Sequence, residues 1–491
     1  MADTTGPDPL PSPKAGKTQP SPAKAASDIS GQAHRWAIMG VLGAVSFMAQ
    51  LDFWIVNVAL AGIGQDFSGS TLSGLSWVLD AYAIVFAALL VPAGRLADLW
   101  GRKRMLLGGI GVFTLASAIC ATAPTLGALI GGRAVQAIGA AMIVPTSLGL
   151  LYPAFPKRQH TLVVGLWAGV AGVAASAGPP IGGLLVSLDW RWIFVINLPI
   201  GVATIVAGLL LLPEVRQPTG SSLPDLLSVT GLLVAVSFTV LGTVQGPSWG
   251  WSDTKTLMLF IIAIAGIALT VQRTLKARSA VIEKALFHSH VFTGAATALF
   301  LFFLGFAIFL LGSSLFMLQV WHYEPIVAGI RLAPAPIVAV GFAVAAGPIQ
   351  DRFGRTTPAV VGTLTMTAAA LWWLFTVTER PDYWTTLFPG LVLMGISGGL
   401  SQAPMFAAAG CLPPDRATTG SAVLNMSRQV GSAVGVAVLV ALTTSAVPIT
   451  GYRHAWVVQA LGGALAAASL LLIGRRGAQS VTTAIPTQPC G

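Results

Sequence analysis

Long apolar runs alternate with short polar breaks along almost the whole chain. An α-helix needs about 20 apolar residues to cross a hydrocarbon core of ~30 Å. Runs of this length recur along the sequence, and the pattern predicts an all-α membrane protein with 14 transmembrane helices. The predicted spans are residues 36–60, 73–93, 105–122, 126–152, 161–187, 192–212, 226–245, 256–272, 291–320, 326–349, 357–377, 385–407, 418–446 and 454–473.

Composition and charge give these spans an orientation. Only 9% of the 491 residues are charged and 55% are hydrophobic, which excludes an ordinary soluble protein. The net charge is +10, and most of the 27 Lys and Arg residues fall in loops on the side shared by the two termini. Basic loops resist translocation, so we expect a multi-pass protein of the cell membrane with both termini in the cytoplasm. The basic residues then contact lipid head groups, and no nucleic-acid partner is expected.

An internal repeat organises the spans. Residues 94–102 (GRLADLWGR) follow the second helix, and the similar residues 347–355 (GPIQDRFGR) follow the tenth. The repeat predicts two parallel six-helix halves, as in transporters that open a central cavity alternately to either side, with an inserted helix pair between them. The predicted organisation is a disordered cytoplasmic tail (1–34), an N-terminal six-helix half (35–213), a two-helix linker (214–274), a cytoplasmic loop (275–290), a C-terminal six-helix half (291–476) and a second tail (477–491).

Three ionisable residues stand out inside the predicted spans, where charges are costly and usually face a cavity. Asp52, Asp80 and Arg133 fall at a similar depth, roughly 10–12 Å below the external surface at ~1.5 Å per residue. One acid can pair with Arg133 while the other takes a proton or a cationic substrate. Alternatively, Asp52 and Arg133 form a structural ion pair and Asp80 merely lines the entrance to its helix. Arg331 and Arg428 are interpreted as side chains near span ends that reach towards the interface.

Several stretches resemble the major facilitator superfamily, specifically its 14-helix drug/proton antiporter branch. The loop GRLADLWGRKR (94–104) is similar to the signature between helices 2 and 3, and GRAVQAIGAAMIVP (132–145) to the signature with a membrane-embedded arginine. Residues 165–183 resemble the helix-5 motif of exporters. The segments LDFWIVNVAL (51–60), DWRWIFVINLPIGV (189–202) and GSAVLNMSRQVGSAVGVAV (420–438) are similar to the drug-exporter branch itself.

The resemblance assigns roles to three further sets of residues. The loop between helices 2 and 3 latches the two halves on the cytoplasmic side, with Asp98 at a helix N-terminus and Arg102 paired with a neighbouring acid. The three sets are a cytoplasmic gate (Gly94, Asp98, Gly101, Arg102), its copy in the second half (Gly347, Asp351, Gly354, Arg355) and the antiporter motif (Gly165, Gly169, Gly178, Pro179, Gly182, Gly183).

Taken together, these features predict a proton-coupled efflux transporter for lipophilic drugs or antibiotics that works by alternating access as a monomer in the lipid bilayer. Its partners are a small lipophilic substrate and protons. The sequence contains no HExxH motif, and its cysteines have no metal-ligand spacing, so we expect neither an enzyme nor a cofactor or metal. The alternative is a proton-coupled symporter that imports a small metabolite on the same fold.

Overall fold

The computed structural model describes residues 22–67, 72–156, 159–215, 225–277, 280, 282–354, 356–413, 416–443 and 448–480. This part of the chain is α-helical, with short 3₁₀ and π segments and no strand. In chain order the α-helices are α1 (Pro22–Asp66), α2 (Leu72–Trp100), α3 (Arg102–Ala121), α4 (Leu126–Ala154), α5 (His160–Val186), α6 (Trp192–Val195), α7 (Asn197–Leu211), α8 (Leu226–Trp249), α9 (Thr254–Lys276), α10 (His290–Gln319), α11 (Pro325–Leu332), α12 (Pro334–Phe353), α13 (Thr357–Thr376), α14 (Phe388–Ala407), α15 (Ala417–Thr443) and α16 (Pro448–Ser480).

Thirteen helical segments in the described ranges are long and apolar enough to cross a membrane. The remaining predicted span, 161–187, coincides with α5, a helix of 27 residues that is not among the thirteen. The all-helical membrane fold is therefore confirmed, whereas the count of 14 spans is not.

The predicted N-terminal tail is partly corrected. Residues 1–21 lie outside the described part of the chain, but α1 begins at Pro22, so residues 22–34 are helical rather than disordered. Proline is tolerated in the first helical turn, and the following stretch contains no further proline to interrupt the helix. The predicted C-terminal tail, 477–491, begins inside α16, which extends to Ser480, and its remaining residues lie outside the described ranges.

The helices pack as two groups. In the first group, α1 packs on α5 and α4 packs on α2 and α3. In the second group, α10 packs on α15 and α16, while α14 packs on α12 and α13. Helices α8 and α9 form a hairpin whose α8 contacts both α2 and α15. The arrangement agrees with two halves and an inserted pair, although the exact domain limits stay a prediction.

The two helix groups meet where α2, α4 and α14 end, where α5 and α15 begin, and at the middle of α12. We call this the latch end of the bundle. A Cβ atom at Gly94 of α2 would stand 2.6 Å from the Ala422 side chain of α15, and one at Gly165 of α5 would stand 3.3 Å from the Ala343 carbonyl oxygen of α12. These two glycines permit helix backbones of opposite groups to approach closely, as small residues do in membrane helices.

Candidate proton and substrate site

A buried charge pair lies inside the first helix group. Nη1 of Arg133 on α4 donates to Oδ2 of Asp52 on α1 at 2.5 Å, and each residue is about 1% exposed. The other carboxylate oxygen accepts hydrogen bonds of 2.8 Å from Nε2 of Gln136 and from Nδ2 of Asn197. The Ser117 hydroxyl accepts from both amides. The negative charge is thus fully satisfied in a site without water access, as a buried ion pair requires.

Neighbouring groups fix the position of the Arg133 guanidinium. Its Nε donates to the Val78 carbonyl oxygen of α2 at 3.2 Å, and its Nη1 also donates to Oε1 of Gln136 at 2.6 Å. The Tyr82 ring lies 4.3 Å from the guanidinium carbon, within the range of a cation–π contact. The expected pairing of one acid with Arg133 is found, and that acid is Asp52.

Sequence reasoning missed Gln136, Asn197 and Ser117. Gln136 follows Arg133 by three residues and therefore lies on the same face of α4. Asn197 is the first residue of α7, directly after the break that separates α6 from α7. A neutral polar side chain inside an apolar span was the signal that could have found both amides.

Asp80 is not part of this network. Among the described residues, no hydrogen bond or ion pair links it to Asp52 or Arg133. The Ser76 side chain hydrogen-bonds to Asp80, while Oδ2 of Asp80 is buried without a partner. The residue as a whole is partly exposed, so Asp80 is the more accessible of the two intramembrane acids.

The predicted gate residues join the two helix groups at the latch end. Oδ1 of Asp98 accepts from Nε and Nη2 of Arg102 at 3.0 and 2.9 Å, and Oδ2 accepts from the backbone N and the hydroxyl of Thr419 at 2.9 and 2.8 Å. Arg102 also donates to the Gly149 carbonyl oxygen at 2.8 Å. Asp98 therefore lies at a helix N-terminus as expected, but the helix is α15 of the opposite group, whose dipole favours the carboxylate.

The repeated loop has the same backbone turn in both helix groups. Gly101 has φ of 113° and Gly354 has φ of 93°, values that only glycine adopts without strain. A Cβ at Gly347 would meet nothing within 4 Å. The Asp351 side chain and Arg355 lie outside the described part of the structure.

A second ionic contact reinforces the latch end. Glu283, in the connection between α9 and α10, accepts from Arg95 of α2 at 2.7 Å and from Arg416 at 2.9 Å. Arg416 directly precedes α15, so one carboxylate bridges the two helix groups. The side chains of Arg95 and Glu283 are only 6% and 18% exposed, which protects this contact from solvent screening.

The antiporter-motif glycines of α5 divide between two neighbours. A Cβ at Gly178 would stand 2.8 Å from the Trp54 Cβ, and one at Gly182 would stand 2.9 Å from Cγ1 of Ile55. These two glycines thus pack on the turn of α1 that follows Asp52. Gly165 instead faces α12 and α14, Gly169 and Gly183 have open space, and the Pro179 side chain is outside the described residues.

An apolar cavity of about 240 Å³ lies between the helix groups. Phe47 of α1, Leu166 and Gly169 of α5, and Val340 and Val344 of α12 are among the residues that line it. Its lining offers shape and apolar contact to a lipophilic molecule and no charged group.

The position of Arg428 on α15 differs from the one that the sequence analysis predicted, near a span end. It lies close to the middle of the span Ala417–Thr443, too far from either end to reach the interface. Its position indicates a role inside the protein.

Two ion pairs outside the spans anchor helix ends. Asp66, at the end of α1, accepts from Nε1 of Trp190 at 2.9 Å and from Arg191 at 2.6 Å, and these hydrogen bonds lower the pKa of Asp66. Asp225, which caps α8, pairs with Arg273 of α9, and this contact lowers the pKa of Asp225.

Two groups of membrane helices with charges held in their interior are typical of a membrane transporter. The family model of the Major Facilitator Superfamily matches residues 42–436 and, in a second match, 295–486. The chain belongs to this superfamily, and the overlapping second match agrees with the internal repeat.

Characterised relatives cover most of the chain. It is 37% identical over 404 residues to the methylenomycin A resistance protein of Streptomyces coelicolor, covering 80% of this chain and 82% of the relative. The methylenomycin A resistance protein of Bacillus subtilis is 33% identical over 444 residues, covering 89% and 93%. The tetracenomycin C resistance and export protein of Streptomyces glaucescens is 30% identical over 418 residues, covering 84% and 76%.

Solved structures share the fold at low sequence identity. The human organic anion transporter MFSD10 superposes with a TM-score of 0.67 at 13% identity, covering 89% of this chain and 99% of that protein. The proton:xylose symporter XylE superposes with a TM-score of 0.65 at 12% identity, covering 90% and 96%. Both likenesses concern the fold alone.

Proposed function

We propose that this protein exports a lipophilic, antibiotic-like small molecule across the cell membrane in exchange for protons. The names of its relatives, which are resistance and export proteins, support the direction of transport. The observation that carries the proposal is the buried pair of Asp52 and Arg133. Charged residues at membrane depth are costly and are retained mainly at functional sites.

The network around Asp52 has two chemical states. With Asp52 ionised, three side-chain donors hold the carboxylate and Arg133 is neutralised. With Asp52 protonated, Arg133 loses its counter-charge and the new hydroxyl needs an acceptor. Oδ1 of Asn197 is buried without a partner, so a flip of this amide supplies one. Protonation thus weakens the link between α1 and α4.

The glycines of α5 couple this change to the rest of the molecule. Gly178 and Gly182 pack directly after Asp52 on α1, while Gly165 on the same helix packs against the second group. A shift of α1 on protonation therefore moves α5 against α12 and α14. In this scheme Asp80, which is partly exposed and has one carboxylate oxygen without a partner, passes protons between the solvent and the buried pair of Asp52 and Arg133.

The remaining features complete the proposal. Both termini and the latch end are cytoplasmic, and the protein works as a monomer that opens alternately to each side. The latch in its formed state closes the cytoplasmic side, so the substrate leaves on the other. One proton moving through about 100 mV supplies about 2.3 kcal/mol, which drives roughly a 50-fold gradient of an uncharged substrate.

The test is uphill efflux of ethidium from cells that lack their own pumps, at matched membrane expression. The wild type is expected to export ethidium, and a protonophore or Asp52→Asn is expected to abolish export. Asp66→Asn is the matched control, because Asp66 lies on the same helix and is ion-paired at an exposed site. If Asp52→Asn exports as well as Asp66→Asn, the pair is structural and coupling resides elsewhere. Proton-driven accumulation of a metabolite would instead support the importer.

A further inference from the structure

Arg428 carries a charge inside the membrane, and no counter-charge pairs with it in the described part of the chain. Among the described residues it forms no hydrogen bond or ion pair, and its Nε is buried without a partner. The intramembrane Arg133, by contrast, is neutralised by Asp52 at 2.5 Å, and Arg102 by Asp98 at 2.9 Å. A guanidinium retained unpaired at this depth is expensive, and such residues mark binding sites or ion pathways.

The helix backbone beside Arg428 packs closely on α10. One and two turns further along α15, Gly431 and Gly435 lie against the carbonyl oxygens of Phe300 and Leu304 on α10, with no room for a side chain. Arg428 precedes them by three and seven residues, so it lies on the same side of the helix. A binding group on a fixed backbone loses less freedom when it meets a ligand.

Aromatic rings border the guanidinium. The Phe303 ring centroid lies 5.7 Å from the Arg428 guanidinium carbon, and Phe303 contacts Phe306 at 5.6 Å between centroids. Phe303 is buried, whereas Phe306 is partly exposed. The rings solvate the cation weakly and offer an apolar face beside it, but they supply no hydrogen-bond acceptor for its N–H groups.

Burial along α15 changes at this position. All residues from Ala417 to Asn425 are buried, and all from Met426 to Val430 are partly exposed. The tight packing between helix groups at the latch end therefore stops just before Arg428. Arg428 lies in this partly exposed stretch, six residues beyond Ala422, which contacts α2 of the first group.

We propose that Arg428 binds the anionic group of a substrate, so that the exported molecules include amphipathic organic acids whose apolar part packs against Phe303 and Phe306. This inference rests on the proposed export function for its biological meaning. A planar guanidinium donates two parallel hydrogen bonds to a carboxylate, which fixes orientation as well as charge. The bound acid supplies the counter-charge and the acceptors that Arg428 lacks in the protein itself.

Direct binding tests the proposal on purified full-length protein in lipid nanodiscs. The probes are anthracene-9-carboxylate and fluorescein, compared with anthracene-9-carboxamide and the cationic rhodamine 123. We expect Arg428→Gln to raise the Kd of both acids about ten-fold or more and to leave the amide and rhodamine 123 unchanged. Arg428→Lys keeps the charge but not the planar fork, and its effect is expected to be intermediate.

Two controls keep the result interpretable. Arg453→Gln removes one positive charge from an exposed site on α16 and is expected to leave every Kd unchanged. Size-exclusion profiles identify a variant that fails to fold, in which case the comparison of wild type with Arg428→Lys decides. The proposal is overturned if neither acid binds more tightly than its uncharged or cationic analogue, or if both acids bind equally well to the folded Arg428 variants.

Efflux of the same dyes separates this inference from the proposed function. Export of rhodamine 123 that is abolished by a protonophore, without Arg428-dependent binding of the acids, overturns the anion site and leaves the exporter intact. Arg428-dependent binding without protonophore-sensitive export of either dye supports the anion site and contradicts the proton-driven exporter.

Discussion

At the scale of single residues, Gln136 and Asn197 complete the hydrogen bonding of the buried charge pair. Each amide donates at 2.8 Å to the same Asp52 oxygen, on the side that Arg133 does not reach. Without them the buried carboxylate would keep only one of its three hydrogen bonds, and an unsatisfied buried charge is heavily penalised. The amides therefore decide whether Asp52 can remain ionised at this depth.

Replacement of Asn197 by alanine measures this contribution. A hydrogen bond to a charged group is worth about 1.5–3 kcal/mol, so Asn197→Ala is expected to lower the free energy of unfolding in detergent by about that amount. In an Asp52→Asn background the acceptor is neutral, and the same change should cost only about 0.5–1.5 kcal/mol. Asn425→Ala is the control, because the one hydrogen bond that the Asn425 amide donates among the described residues stays within its own helix, to the Ser421 carbonyl oxygen. Equal costs in both backgrounds would show that Asn197 does not act through the carboxylate.

Charged site residues were easier to predict from the sequence than neutral ones. Asp52 and Arg133 stand out in apolar spans, and the expectation that an acid pairs with this arginine was correct. Asn197 did not stand out, because a neutral amide is tolerated in many spans and its partner on α1 is far away in the chain. The prediction that Arg428 lies near a span end was wrong. Whether an arginine has a counter-charge depends on the side chains of the neighbouring helices, which the sequence does not place.

At the scale of helices, the latch end depends on Glu283, which lies in neither helix group. Its carboxylate meets Arg95 of α2 and Arg416 before α15, so two cations of opposite groups share one acid. Nε of Arg95 has no partner of its own, and removing the acid would leave a buried guanidinium unpaired. Breaking such a partly buried pair costs more than breaking an exposed one.

Loss of this acid should loosen the latch. In a background without native cysteines, a cysteine at Ser421, which is fully buried in α15, reports opening through its rate of reaction with N-ethylmaleimide. Glu283→Gln is expected to raise this rate about five-fold, equivalent to about 1 kcal/mol. Asp225→Asn, which removes the comparably exposed pair with Arg273 elsewhere, should leave it unchanged. Identical rates in the two variants would mean that Glu283 does not hold the groups together.

Helix positions followed from the sequence better than helix ends. Most predicted spans coincide with helices within a few residues, because each is set by the apolar length that the bilayer demands. A predicted span ends at the first charged residues, however, whereas α1 and α16 continue as helices well beyond the apolar core. The interruptions at Ile196 and Ala333 were missed as well, since apolar residues on both sides conceal a local break.

At the scale of the whole molecule, alternating access requires the two helix groups to separate at the latch end. Besides the Glu283 bridge, three contacts that hold this end closed are Asp98 with Thr419, Gly94 against Ala422, and Gly165 against Ala343. All three must break together when the cavity opens on this side. Because the closing surfaces are close-packed backbone and small side chains, we expect the change to be a rigid movement between two arrangements.

A covalent bond across the latch end should therefore stop transport without harming the fold. A Cβ at Gly165 of α5 stands 3.4 Å from the Cβ of Ala403 on α14, close to the separation of about 3.5–4.5 Å that a disulfide needs. In a background without native cysteines, the double variant Gly165→Cys, Ala403→Cys is expected to lose nearly all efflux on oxidation and to recover it on reduction. Each single variant should export equally under both conditions. Undiminished efflux by the fully cross-linked protein would mean that the groups do not separate here, and that the substrate crosses without the rocking motion on which alternating access depends.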